Sequence, residues 1–167
     1  MYTKIFDSNK WARGHCPLMD MLMILVSNKI RYLFIIILIF MWFKNDSSKK
    51  VSYLALKAAG ITIILNTLIK AVYFKPRPFV KHRVGILVPA KRDSTFPSKH
   101  TLLVFAISTA IYLYDRVLGI IMMLLSFLTG FSRIWVGHHY PADIIGSAFI
   151  GMLTSIVLDK VKTNKMS

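Results

Sequence analysis

The sequence predicts an all-α polytopic membrane helix bundle, with about five transmembrane helices preceded by an N-terminal segment that is part interfacial and part half-inserted. Three observations carry that prediction. Of the 167 residues, 55% are hydrophobic, and they gather in long runs. Those runs approach the roughly 20 residues that cross ~30 Å of hydrocarbon. Charged and polar residues concentrate in clusters between the runs. The balance of 22 Lys and Arg against 7 Asp and Glu, a net charge of +15, therefore sits beside apolar segments. That arrangement faces anionic lipid or phosphate. A nucleic-acid partner is set aside, since the apolar runs are too long and no motif for RNA or DNA appears. The length fits one domain, 1–167, with its motif-bearing core at 50–158. Cys16 is alone, which rules out an internal disulfide and argues against a cysteine-based metal site.

The elements follow in order. Residues 1–17 mix Lys4, Lys10 and Arg13 with Tyr2, Ile5, Phe6 and Trp11, the composition of an amphipathic segment at the interface or of a frayed tail. No small-residue cleavage site of a signal peptide follows them. Residues 18–26 are apolar but too short to span, and read as a half-inserted helix broken at Ser27-Asn28-Lys29. Residues 30–43 form the first span and end in Trp42-Phe43, an aromatic anchor. A polar loop at 44–50 leads to the second span, 51–70. Pro76, Pro78, Gly85, Pro89 and Pro97 then exclude a continuous helix, leaving a long basic loop. Residues 98–114, 117–134 and 141–158 are the third, fourth and fifth spans. In the fifth, Ala142, Gly146, Ser147 and Gly151 are spaced for close helix packing, within the chain or between copies.

If the five spans alternate, the 44–50 loop, the Asp115-Arg116 turn and the tail with Lys160, Lys162 and Lys165 share one side. Their basic residues make that side cytoplasmic. The 70–100 loop then carries Lys70, Lys75, Arg77, Lys81, Arg83, Lys91, Arg92 and Lys99 on the outer side, against the same rule. Phosphate binding explains the exception, because ammonium and guanidinium groups match its charge and geometry.

Three clusters face that outer side. Lys70 ends a span and Arg77 lies in a Pro-bounded loop, so both can reach one pocket; taken alone, they are equally a snorkelling lysine and a solvated arginine. Ser98 follows Pro97 and is placed as an N-cap, which points free N–H groups at an anion. His100 sits in that first turn, where a histidine is often structural. Tyr140-Pro141 starts a helix, with His139 just before it and Asp143 one turn in. Asp143 can then reach back to one ring nitrogen of His139 and leave the other free to attack. Arg133 ends the preceding span on the same face.

Together the clusters resemble the signature of the type 2 phosphatidic acid phosphatase superfamily: K-x6-R-P, then P-S-G-H, then S-R-x5-H-x3-D. Lys70, Arg77 and Pro78 match the first motif; Pro97, Ser98 and His100 the second; Ser132, Arg133, His139 and Asp143 the third. Lys99 stands where glycine is usual, and a cation there could help hold a diphosphate. A narrower resemblance, carried by residues 73–80 and 128–141, is to the bacitracin-resistance undecaprenyl-diphosphatases of Gram-positive bacteria.

The resemblance implies a multi-pass enzyme of the bacterial plasma membrane, with its site facing outward and a polyprenyl diphosphate lipid as substrate. It implies a mechanism with no metal or other cofactor. In it Lys70, Arg77, Arg133, Ser98 and Lys99 hold phosphate, His139 attacks phosphorus, Asp143 orients it, and His100 protonates the leaving oxygen. His138 matches no catalytic position. A broad phosphatase of lipid monophosphates and a non-enzymatic membrane export subunit are the alternatives.

Overall fold

The architecture is organised by its 14-residue fourth helix. A computed structural model describes residues 16–81, 87–88 and 93–164. Among the described residues the elements are α1 (Pro17–Lys44), α2 (Asp46–Val72), the one-turn α3 (Pro78–Lys81), α4 (Lys99–Tyr112), α5 (Arg116–Trp135) and α6 (Pro141–Asn164), with no strand. Four of them, α1, α2, α5 and α6, are long and apolar enough to cross a membrane. The third expected span is shorter than 98–114: α4 holds 14 residues, or about 21 Å of rise. It is the central helix, packed against α2, α5 and α6 and buried from Val104 through Ile111. The two ends of α4 cannot both reach the surfaces of ~30 Å of hydrocarbon. Tyr114, Asp115 and Arg116 mark the interface at its C-terminal end, so its N-terminus, with Lys99 and His100, lies sunk below the opposite surface.

The core joins Phe34, Leu38 and Met41 of α1 to Val51, Leu54 and Ala55 of α2 and to Phe105 and Ile111 of α4. The outer faces keep large apolar side chains uncovered, among them Phe40, Leu124, Phe127, Ile145 and Phe149. A surface that apolar is stable where lipid covers it. In lipid, polar side chains bond across helices. Ser52 Oγ donates to the Leu38 carbonyl at 2.9 Å, Ser108 and Ser126 hydroxyls meet at 2.7 Å, and Ser155 Oγ donates to the Ala106 carbonyl at 2.6 Å. The small-residue stripe of α6 faces α4, because a Cβ at Gly151 would come within 2.6 Å of the Leu102 carbonyl oxygen. The close packing at Gly151 is therefore internal.

One expectation is overturned. The half-inserted helix at 18–26 and the first span at 30–43 are a single continuous helix, α1, of 28 residues. Ser27, Asn28 and Lys29 do not break it, since a helix satisfies its own backbone whatever its side chains. Their polarity is used sideways instead: Ser27 is buried and bonded to α5. The interfacial segment expected at 1–17 falls almost wholly outside the described residues.

Candidate active site

The loop between α5 and α6 folds back on itself. Gly137 makes that possible with φ of 84°, a left-handed conformation that glycine adopts without strain. The return stacks the N–H groups of His138 and His139 on the Arg133 carbonyl, at 3.1 and 3.3 Å. His139 is thereby buried beside the end of α5. Its Nδ1 lies 2.7 Å from the Thr95 carbonyl oxygen. A carbonyl only accepts, so Nδ1 carries the proton and Nε2 keeps its lone pair. Burial holds the imidazole well below its ordinary pKa, and the positive charges of Arg133 and Arg77 push the same way. The ring is thereby held neutral at neutral pH.

Asp143 does not reach His139 as the spacing suggested. Its carboxylate is wholly buried and already committed. Oδ1 pairs with Lys75 Nζ at 2.5 Å, while Oδ2 accepts from the Thr95 hydroxyl at 2.7 Å and from the Tyr140 N–H at 3.0 Å. The last contact is a capping bond, in which the third residue of a helix reaches back to the residue that starts it. The physical reason for the difference is Thr95. Its hydroxyl takes the carboxylate and its carbonyl takes the imidazole, so the connection between Asp143 and His139 runs through one residue. Sequence reasoning missed Thr95 and Lys75. Their signal was position, since Lys75 lies two residues before Arg77 and Thr95 two before Pro97.

Lys70 and Arg77 are brought together by Asp93. Lys70 Nζ donates to Oδ2 at 2.8 Å, and Arg77 donates to Oδ1 through Nε at 3.0 Å and Nη2 at 2.6 Å. Burial pushes this carboxyl up, but the hydrogen bonds from Lys70 and Arg77 outweigh that and hold it below its ordinary value. An anion already bridges the two cations. Arg77 also reaches the His138 carbonyl with Nη1 at 3.4 Å, beside His139. The imidazole of His138 faces away, with Nε2 2.7 Å from the Val88 carbonyl, where it pins the 87–88 segment.

Arg133 is buried, and its Nη1 donates to Ser27 Oγ at 2.7 Å. Its Nε has no hydrogen-bond partner among the described residues. One helix end away, Trp135 Nε1 donates to Asp20 at 2.8 Å. Ser98 occupies the N-cap position of α4, but its hydroxyl accepts from Thr101 Oγ1 at 3.0 Å instead of capping a backbone N–H. Its own N–H donates to Ser147 Oγ at 2.8 Å, tying α4 to α6. His100 faces α1: Arg31 Nη1 lies 3.4 Å from its Nε2. Arg133, Arg31 and Lys99 are the cations that bear on it. Lys99 itself is exposed. Asp20, Ser27 and Arg31 were also missed. Their signal was polarity on a helix otherwise suited to lipid.

A neutral histidine set among guanidinium groups, at the sunken end of a helical membrane bundle, defines a membrane phosphatase. The chain belongs to the PAP2 superfamily, whose profile matches residues 50–167. It is 40% identical to undecaprenyl-diphosphatase BcrC of Bacillus subtilis (strain 168), over 92% of this chain and 80% of that one. Among solved structures, Aquifex aeolicus LpxE superposes with a TM-score of 0.78 at 27% identity, covering 95% of this chain and 94% of its own. A transmembrane PAP2-type phosphatidylglycerolphosphate phosphatase from Bacillus subtilis shares the fold, with a TM-score of 0.73 at 20% identity over 97% and 86% of the two chains.

Proposed function

We propose that this chain hydrolyses undecaprenyl diphosphate to undecaprenyl phosphate and inorganic phosphate, through a phosphohistidine on His139. The observation that carries the reading is His139 itself, neutral, fixed by Thr95 and facing cations. Its Nε2 attacks the terminal phosphorus, forming an N–P bond as the bridging P–O bond breaks. His100 gives a proton to the departing oxygen. Water then attacks the phosphorus with His100 as base, and the N–P bond breaks to restore the imidazole. Lys70, Arg77 and Arg133 stabilise the charge on the transferring group. The buried Arg133 Nε supports that role, since a buried donor without a protein acceptor is costly unless a ligand supplies one. The bridge that Asp93 makes between Lys70 and Arg77 supports an anion site there. Ser98 and Lys99 complete the cradle from the start of α4. The substrate comes from the relative named above, whose name states this reaction.

The test is turnover by the purified enzyme in excess chelator, against undecaprenyl diphosphate, phosphatidate and phosphatidylglycerophosphate. The diphosphate is expected to turn over fastest, and expression to raise bacitracin tolerance. Faster hydrolysis of phosphatidate would establish a broad lipid phosphatase instead, and activity that returned only with magnesium would end the metal-free mechanism.

The site faces the extracytoplasmic side. The basic residues Lys44, Lys49 and Lys50 where α1 meets α2, and Lys160 and Lys162 at the end of α6, support this, as both groups lie at the end of the bundle away from His139. A cysteine at Lys91 in a Cys16→Ser background is expected to react with an impermeant thiol reagent on intact cells. Reaction only after the membrane is opened would reverse the orientation.

A further inference from the structure

Arg31 lies outside the three motifs and outside the residues matched by the family profile. It nevertheless faces the reaction centre. Asp20, Ser27 and Arg31 form one stripe of α1, and each meets the site region: Asp20 meets Trp135, Ser27 meets Arg133, and Arg31 meets His100. Ser27 and Arg31 are four residues apart, so they lie one turn above the other on the same face. The Arg31 guanidinium is also aimed. Nη2 donates to the Tyr32 hydroxyl at 3.3 Å, and the group lies 5.1 Å from the Tyr32 ring centroid. That leaves Nη1 directed at His100, 3.4 Å from Nε2.

Two features are unusual for such a residue. Arg31 is exposed, halfway along a helix of 28 residues long and apolar enough to cross a membrane. No carboxylate pairs with it among the described residues. A cation at that depth is expensive unless an anion or a water-filled cleft meets it. Among the described residues the polar group it meets across the helices is His100, the residue that protonates the departing oxygen. The guanidinium therefore stands where the leaving group emerges.

The leaving group distinguishes two kinds of substrate. A lipid monophosphate releases an alcohol, which carries no charged oxygen. A lipid diphosphate releases a lipid phosphate, which carries anionic non-bridging oxygens beside the one that His100 protonates. We propose that Arg31 binds those non-bridging oxygens and makes the site selective for lipid diphosphates over lipid monophosphates. This rests on the phosphohistidine reading given above. Arg77 and Arg133 hold the phosphoryl group that is transferred, whichever substrate is bound. Arg31 engages the phosphate that stays with the lipid, and only a diphosphate has one. Planar guanidinium geometry suits two oxygens of one phosphate.

The test compares farnesyl diphosphate with farnesyl monophosphate, so that the lipid tail is constant. The quantity is the ratio of kcat/KM for the diphosphate to kcat/KM for the monophosphate. In Arg31→Gln this ratio is expected to fall at least five-fold from its wild-type value, and Arg31→Lys to recover part of the loss. A smaller fall overturns the proposal, because a residue that only supports α1 or His100 would lower both activities together. If Arg31→Gln does not fold, Tyr32→Phe carries the test, since it removes the hydroxyl that aims the guanidinium. Its ratio is expected to fall more than two-fold, and a lesser change overturns the proposal. The wild-type ratio tests the substrate reading separately. A wild-type enzyme without diphosphate preference would sink that reading and with it the selectivity assigned to Arg31, whereas a wild-type preference that survives in Arg31→Gln overturns the Arg31 proposal alone.

Discussion

His139→Ala is expected to abolish formation of phosphoenzyme, while His100→Ala keeps a measurable burst when the leaving group is good. The difference follows from what each histidine supplies. A bond to phosphorus needs the lone pair of a neutral imidazole, and burial among cations keeps His139 in that form. A general acid matters only in proportion to the basicity of the oxygen that leaves. It contributes about 10²–10⁴-fold for a poor leaving group and little for nitrophenolate. The measurement is single-turnover release of nitrophenolate from p-nitrophenyl phosphate, with acid-labile phosphate on the protein as the second readout. With undecaprenyl diphosphate both variants should be nearly inactive, so that substrate alone cannot separate the roles. A burst in His139→Ala and none in His100→Ala would exchange the assignments. Turnover without labelled protein would mean that water attacks phosphorus directly.

The parts of this site that the sequence made legible are those set by local spacing. Tyr140-Pro141 announced the start of α6, and Pro97-Ser98 the start of α4, because proline and capping preferences act within a turn. The long apolar runs marked α2, α5 and α6, because hydrocarbon thickness demands that length. Two readings failed where a distant residue decides the outcome. Ser27-Asn28-Lys29 looked like a break because polarity interrupts an apolar run. The chain stays helical there, and Ser27 finds Arg133, 106 positions later in sequence. Asp143 looked like the direct partner of His139 because they lie four residues apart. Thr95, 48 positions before Asp143, takes both of them. No local pattern reports such a partner. Arg31 was overlooked for the same reason: its neighbour in space is 69 positions away.

The indirect link between Asp143 and His139 has a measurable consequence. Asp143→Asn is expected to slow hydrolysis by roughly 10–100-fold, the range seen when a residue that orients a metal ligand is lost, taken here as the scale for an indirect partner. The loss would be about 10⁴-fold if the carboxylate itself held the catalytic imidazole, since the ring could then flip to the wrong tautomer. Here the Thr95 carbonyl sets the tautomer, and an asparagine at 143 leaves that carbonyl in place. The variant gives up the charge opposite Lys75, and its amide can satisfy only part of what Thr95 and Tyr140 ask of two carboxylate oxygens. Thr95 then sits less firmly, and His139 with it. If that is the route, Asp143→Asn and Thr95→Val act on one connection and their effects are not independent. The double variant is expected to be about as slow as the slower single variant, with the burst from p-nitrophenyl phosphate retained but delayed. Effects that multiply would show that Asp143 works apart from Thr95. A loss near 10⁴-fold in Asp143→Asn alone would show that the carboxylate moves onto His139 when substrate binds.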